Sequence, residues 1–174
     1  MDFEDGPVQA RALRTLTLRH RRWLAIEQML VPALLNLVLN GGIAWLIFRS
    51  HESLLLWGES GVGIDLMITG FLLPFAICLI NSTVIRRQVE RGKIPMIEMV
   101  SPLSGMARSS SLWRALVLAT MGVGLGALPL LAVVGLLEPM SVTAFVGLKG
   151  VWAGLLAAVV SPVIAWWALV GASE

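Results

Sequence analysis

The sequence predicts an all-α membrane protein with four transmembrane helices in two hairpins, preceded by a basic amphipathic N-terminal helix at the cytoplasmic surface. Hydrophobic residues make up 57% of the 174 residues, charged residues only 14%, and the mean hydropathy is +0.83. Four apolar stretches of about 20 residues occur along the chain, and a helix of that length crosses about 30 Å of hydrocarbon. The Lys and Arg residues beside these stretches fall almost entirely on one side.

Residues 1–29 form the first predicted segment, which lies at the cytoplasmic or interfacial level. Pro7 suits the first turn of a helix over 8–28. The apolar face of that helix is formed by Leu13, Leu16, Trp23 and Leu24. Arginines on the other faces favour a helix lying in the headgroup region. The alternative is a basic anchor that fixes the topology of the first span.

Residues 30–172 form a single predicted four-helix transmembrane domain. Its spans cover about 30–48, 66–85, 115–137 and 150–170. The hairpins are joined by a cytoplasmic loop, 86–113, which is apolar after a basic start and contains Pro95 and Pro102. We expect this loop to fold back against the bundle. The alternative is that it offers a Met-rich surface to a partner.

The basic residues predict the orientation of the chain. Eleven of the thirteen Lys and Arg residues lie on one side if the spans cross in turn, and only Arg49 and Lys149 lie opposite. The eleven are Arg11, Arg14, Arg19, Arg21, Arg22, Arg86, Arg87, Arg91, Lys93, Arg108 and Arg114. The positive-inside rule then places both termini and the middle loop in the cytoplasm. We expect the membrane to be an inner, or plasma, membrane of the bacterial type. Anionic headgroups explain the net charge of +2, so nucleic acid is not an expected partner.

Four polar residues in or beside the spans are candidates for a polar path: Asn36, Asn40, Asn81 and Asp65. Polar groups at membrane depth need a partner or a water-lined cavity. Asn36 and Asn40 are one turn apart, and Asn36 could reach Asn81, so hydrogen bonding between the first two helices is the alternative to a path. Asp65 is placed to cap the second span. Alternatively, it forms an outer proton or cation site with Lys149 across from it.

Small residues in the third and fourth spans are candidates for close helix packing. They are Gly122, Gly124, Gly126, Gly150, Gly154 and Ala158. The last three recur at four-residue spacing and form a small-xxx-small ridge, which lets helices approach closely. For the run from Gly122 to Pro129, the alternative is a broken helix that lines a substrate site.

The sequence contains no motif that indicates catalysis. His20 and His51 fall on opposite sides of the predicted membrane, and Cys78 is the only cysteine, so the ligands of a zinc site are missing. Neither a Walker A motif nor a dinucleotide-binding glycine pattern occurs between a strand and a helix. We therefore expect a protein that is not an enzyme and needs no cofactor or metal.

These observations favour a polytopic membrane protein that acts through helix packing, as an accessory or assembly subunit or as a homo-oligomer. Its expected partners are membrane lipids and either a second copy or another membrane protein. The expected contact surfaces are the fourth-span ridge and the loop 86–113. The alternatives are a small transporter or channel that uses the polar path, and a binder of lipid or hydrophobic pigment.

Overall fold

A computed structural model describes residues 18–58, 61–93 and 109–171 of the chain. Within these ranges, four helical rods are long and apolar enough to cross a membrane: Arg21–Phe48, Val62–Val89, Ser111–Leu136 and Val142–Leu169. The predicted fold class, an all-α protein with four membrane helices, is confirmed. The beginning of the N-terminal segment and most of the loop 86–113 lie outside the described residues, so the two interpretations of that loop stay predictions.

The rods are assembled from the following elements. They are α1 (Leu18–Trp23), π1 (Leu24–Leu30), α2 (Val31–Phe48), α3 (Val62–Glu90), α4 (Ser111–Met121), π2 (Gly122–Ala127), α5 (Leu128–Leu136) and α6 (Val142–Gly171). Elements α1, π1 and α2 follow one another directly and form the first rod. Elements α4, π2 and α5 likewise form the third. The second rod is α3 and the fourth is α6.

The rods extend beyond the spans that hydropathy predicts. The first rod is already helical at Leu18, so the described part of the predicted segment 1–29 continues directly into the span. The first, second and fourth rods contain 28 residues each, equivalent to about 42 Å of helix. That length matches the hydrocarbon plus the headgroup layers, about 40–45 Å. Hydropathy marks only the hydrocarbon part, which explains the shorter prediction.

Two π-helical segments precede prolines. Val31 and Leu128 each donate their backbone N–H to the carbonyl five residues back, and Pro32 and Pro129 follow them. A proline lacks an N–H, and its ring collides with the carbonyl four residues back, so a wider turn relieves the conflict. The segment from Gly122 to Pro129 is therefore a continuous helix with a widened turn and does not contain a break.

The fourth rod occupies the centre of the arrangement. Helix α6 packs along both α2 and α3, and α3 also packs against α4 and π2. No extensive contact joins α2 to α3 among the described residues. The predicted hydrogen bonding between the first two helices is therefore wrong, because α6 is the neighbour of α2.

The two inter-rod loops at one end of the bundle are joined to each other. Leu54 and Met140 form an antiparallel bridge with N–H to carbonyl distances of 2.9 and 3.1 Å. The N–H of Leu56 donates to the Glu138 carboxylate. We call this the bridged end, formed by residues 49–58 and 137–141, and we call the opposite end, which carries Arg21, the basic end.

An apolar cluster lies beneath the bridge. Its buried members are Ala44, Phe48, Leu54, Val62, Leu66, Leu130, Leu131, Val134, Met140 and Phe145. Phe48 and Phe145 meet edge to face, with ring centroids 5.3 Å apart. All four rods and both loops contribute to this cluster, which therefore fixes their arrangement at the bridged end.

Candidate functional site

A buried ion pair connects the second and fourth rods. The Nζ atom of Lys149 on α6 lies 2.7 Å from Oδ1 and 2.6 Å from Oδ2 of Asp65 on α3. The Lys149 side chain is only 1% exposed, and that of Asp65 is 18% exposed. The ammonium therefore faces both carboxylate oxygens inside the bundle.

The ends of the helices determine where the pair forms. Asp65 lies in the first turn of α3, where the helix dipole favours a negative charge. The residue at the N-cap position is Gly61, with φ of 52°, and no side chain caps this end. Asp65 therefore does not cap α3 but forms an ion pair with Lys149. In the alternative prediction from sequence, the outer proton or cation site, Lys149 likewise lies across from Asp65.

Apolar packing surrounds the pair. Leu66, beside Asp65, and Phe145, one turn from Lys149, are both 0% exposed and belong to the cluster beneath the bridge. A charge removed from water in this way is costly unless an opposite charge compensates it. The pair therefore holds α3 against α6, and either partner alone would be a buried, uncompensated charge.

Two amides lie along α2. Asn36 Nδ2 donates to the carbonyl of Pro32 at 2.9 Å. Asn40 Nδ2 donates to the carbonyl of Asn36 at 3.1 Å and lies 3.4 Å from its Oδ1. Both side chains are half-buried. Within the described chain, Asn40 Oδ1 has no hydrogen-bond partner, so the two amides are satisfied only partly and only by their own helix.

The structure does not bring the four polar candidates together. Asn36 and Asn40 bond within α2, whereas Asp65 is paired with Lys149. Asn81 lies on α3, about 24 Å along the helix from Asp65. No hydrogen bond connects Asn81 to Asn36 in the described residues. The candidates therefore occupy three separate places.

The fourth-span ridge packs against the first rod. A Cβ at Gly150 would lie 2.9 Å from the Leu37 carbonyl oxygen, and one at Gly154 would lie 2.9 Å from that of Ala33. Ala158, one turn further, is half-buried. Because α2 already covers Gly150 and Gly154, this ridge is an internal packing surface.

The three glycines of π2 have different surroundings. A Cβ at Gly122 would collide with the carbonyl oxygen of Gly70, so α3 and π2 make their closest approach here. Gly126 faces Trp152, 3.6 Å from the position of a Cβ. Gly124 faces outward, and a Cβ there would meet nothing within 4 Å. The sequence-based choice of packing residues did not include Gly70, because a lone glycine within a span carries no spacing signal.

The first rod is the least covered of the four. In its most apolar 18-residue window, only 6% of residues are buried, compared with 28%, 39% and 50% for the second, third and fourth rods. Helix α2 contacts α6 along one face, and no other described rod packs extensively against the rest of its circumference. Asn36 and Asn40 are neighbours at one edge of this covered face.

These features define a polytopic membrane protein with a buried ion pair and one largely uncovered helix. Comparisons with protein-family models, curated proteins and solved structures find no significant match. The role of the chain is therefore inferred from its own geometry.

Proposed function

We propose that this chain acts through helix packing in the membrane, as an accessory or assembly subunit or as a homo-oligomer. The observation that carries this proposal is the uncovered first rod with its partly satisfied amides Asn36 and Asn40. Lipid tails are as apolar as leucine, so membrane helices associate through close packing and interhelical hydrogen bonds. An amide at hydrocarbon depth has no water to bond, so a hydrogen bond to a neighbouring helix stabilises it.

The proposed contact surface is the open side of α2. The fourth-span ridge, the surface expected from sequence, is occupied by α2 itself at Gly150 and Gly154. The open side of α2 contains large apolar residues that the rest of the described chain leaves exposed, including Ile43, Leu46 and Ile47. It therefore combines apolar area with an adjacent pair of hydrogen-bonding groups.

We further propose that the chain resides in an inner, or plasma, membrane with both termini in the cytoplasm. The support is the charge distribution in the sequence, since eleven of thirteen Lys and Arg residues flank the spans on one side if the spans cross in turn. One of the two exceptions, Lys149, is neutralised by Asp65. The bridged end would then face away from the cytoplasm.

A transport path receives less support from the structure. Its four candidate residues lie in three places, and Asp65 is already bound by Lys149. Binding of a lipid or pigment is favoured by no specific observation. Helix packing is therefore the role that the geometry supports best.

The proposal is tested by extracting the tagged full-length chain from its native membrane in a mild detergent. We expect a complex larger than one 18.8 kDa chain, and mass spectrometry will identify its components. The double variant Asn36→Leu/Asn40→Leu should reduce the amount of complex. Thr120→Val is the matched control, because the exposed Thr120 hydroxyl on α4 also bonds only to its own helix, at Leu116. A wild-type chain recovered only as a monomer would contradict the proposal.

A further inference from the structure

We propose that the partner of α2 is a second copy of this chain, and that Asn36 and Asn40 of the two copies face each other across a two-fold axis along the membrane normal. This inference rests on the proposed function and names its partner. It follows from the depth of the amides, their chemistry and the composition of the surrounding surface.

The depth of the amides favours a second copy. Asn40 and Asn36 lie about 12 and 18 Å from Phe48 along the helix, so both fall within the hydrocarbon layer. Two copies that insert with the same topology place Asn40 at the same depth, and a two-fold axis along the normal preserves that match. A different protein would bind the amides only if its own sequence placed a polar side chain at the same depth.

The chemistry of the amide is complementary to itself. An Asn side chain has two N–H donors and one carbonyl oxygen acceptor. In each copy, Asn40 Nδ2 donates to both the carbonyl and Oδ1 of Asn36. Asn36 Nδ2 has one acceptor, the Pro32 carbonyl, and Asn40 Oδ1 has no partner among the described residues. The second N–H of Asn36 in one copy can thus donate to Asn40 Oδ1 of the other, and the reciprocal bond follows by symmetry.

The surface around the amides suits contact between two identical helices. Helix α2, Val31–Phe48, contains no charged residue. Two copies can therefore approach without burying a charge and without like-charge repulsion. Ile43 and Ile47 lie on the same side of the helix as Asn40, one and two turns further along, and both are exposed. They provide apolar packing beside the amides.

Self-association is measured with purified full-length chains in liposomes, by energy transfer between copies fused to donor and acceptor fluorophores. We expect the wild type to associate, and Asn40→Leu to weaken association about 3- to 30-fold for each interhelical hydrogen bond lost. Asn40→Gln retains an amide and should keep most of the association. Thr120→Val should leave it unchanged. Equal association of the wild type and Asn36→Leu/Asn40→Leu would overturn the inference.

A disulfide experiment locates the contact. Ile43→Cys, on the Asn40 side of α2, should form a cross-linked dimer under mild oxidation. Val38→Cys lies about 200° around the helix from Asn40 and serves as the matched control, which should cross-link far less. The reverse pattern would contradict the proposed face. Cys78 is buried and is present in both variants.

The two proposals fail in distinguishable ways. A chain that shows no energy transfer but leaves the native membrane with a different protein overturns the two-fold contact and keeps the packing function. A chain that shows no energy transfer and leaves the membrane with no other protein overturns both the two-fold contact and the packing function. Circular dichroism of each variant checks that loss of association does not arise from loss of helix.

Discussion

At the scale of single residues, the ammonium group of Lys149 shows how a charge is accommodated inside this bundle. Sequence patterning marks Lys149 as one of two exceptions to the charge distribution and Asp65 as a helix cap. The structure joins the two at 2.6–2.7 Å. Removing only one partner strands the other charge in a poorly solvated place, so its energetic effect should exceed that of removing both.

The ion pair predicts a characteristic pattern in a double-mutant cycle. Lys149→Met should lower the free energy of unfolding by about 3–5 kcal/mol, because the Asp65 carboxylate loses its partner. Asp65→Leu should lower the free energy of unfolding by a similar amount, because the Lys149 ammonium loses its partner. The combination Asp65→Leu/Lys149→Met should recover most of the loss, since it leaves no buried charge. Reversible unfolding in mixed micelles measures all four proteins, and additive single effects would contradict this role of the pair.

At the scale of helices, sequence predicts the existence of the rods better than their neighbours. Length and hydropathy identify all four rods, because a bilayer requires about 20 apolar residues in any spanning helix. They carry no information about which apolar faces meet. The spacing of Gly150 and Gly154 indicates a close approach, yet it does not identify α2 as the helix that fills it. Asn36 likewise gives no signal that α6, and not α3, is the main neighbour of α2.

The contact between α2 and α6 predicts opposite outcomes for two glycines of the same helix. Gly154→Ala places a methyl group 2.9 Å from the Ala33 carbonyl oxygen, so we expect a loss of about 1–3 kcal/mol in the free energy of unfolding. Gly147→Ala adds a methyl group that meets nothing within 4 Å. It should leave stability unchanged or raise it by up to about 1 kcal/mol through helix propensity. If both variants lower the free energy of unfolding equally in mixed micelles, α2 does not approach Gly154 closely.

At the scale of the whole molecule, the first rod differs from the other three, which pack closely together. Helices α3 and α6 and the third rod form a packed group, stabilised by the ion pair and the cluster beneath the bridge. The first rod packs against this group mainly through α6, and the other described residues leave most of its surface uncovered. An arrangement of this kind is suited to presenting one helix to another membrane protein, and the amides of Asn36 and Asn40 give that helix a preferred side.

The packing role makes a direct prediction about how many protein chains one particle of native membrane contains. The chain is extracted with polymer that retains a disc of native membrane, and its intact mass is measured without detergent. The proposed packing role predicts particles that hold more than one protein chain, and the two-fold contact predicts twice 18.8 kDa of protein. Particles that contain one copy of this chain and no other protein, at every ratio of lipid to protein, would contradict the packing role.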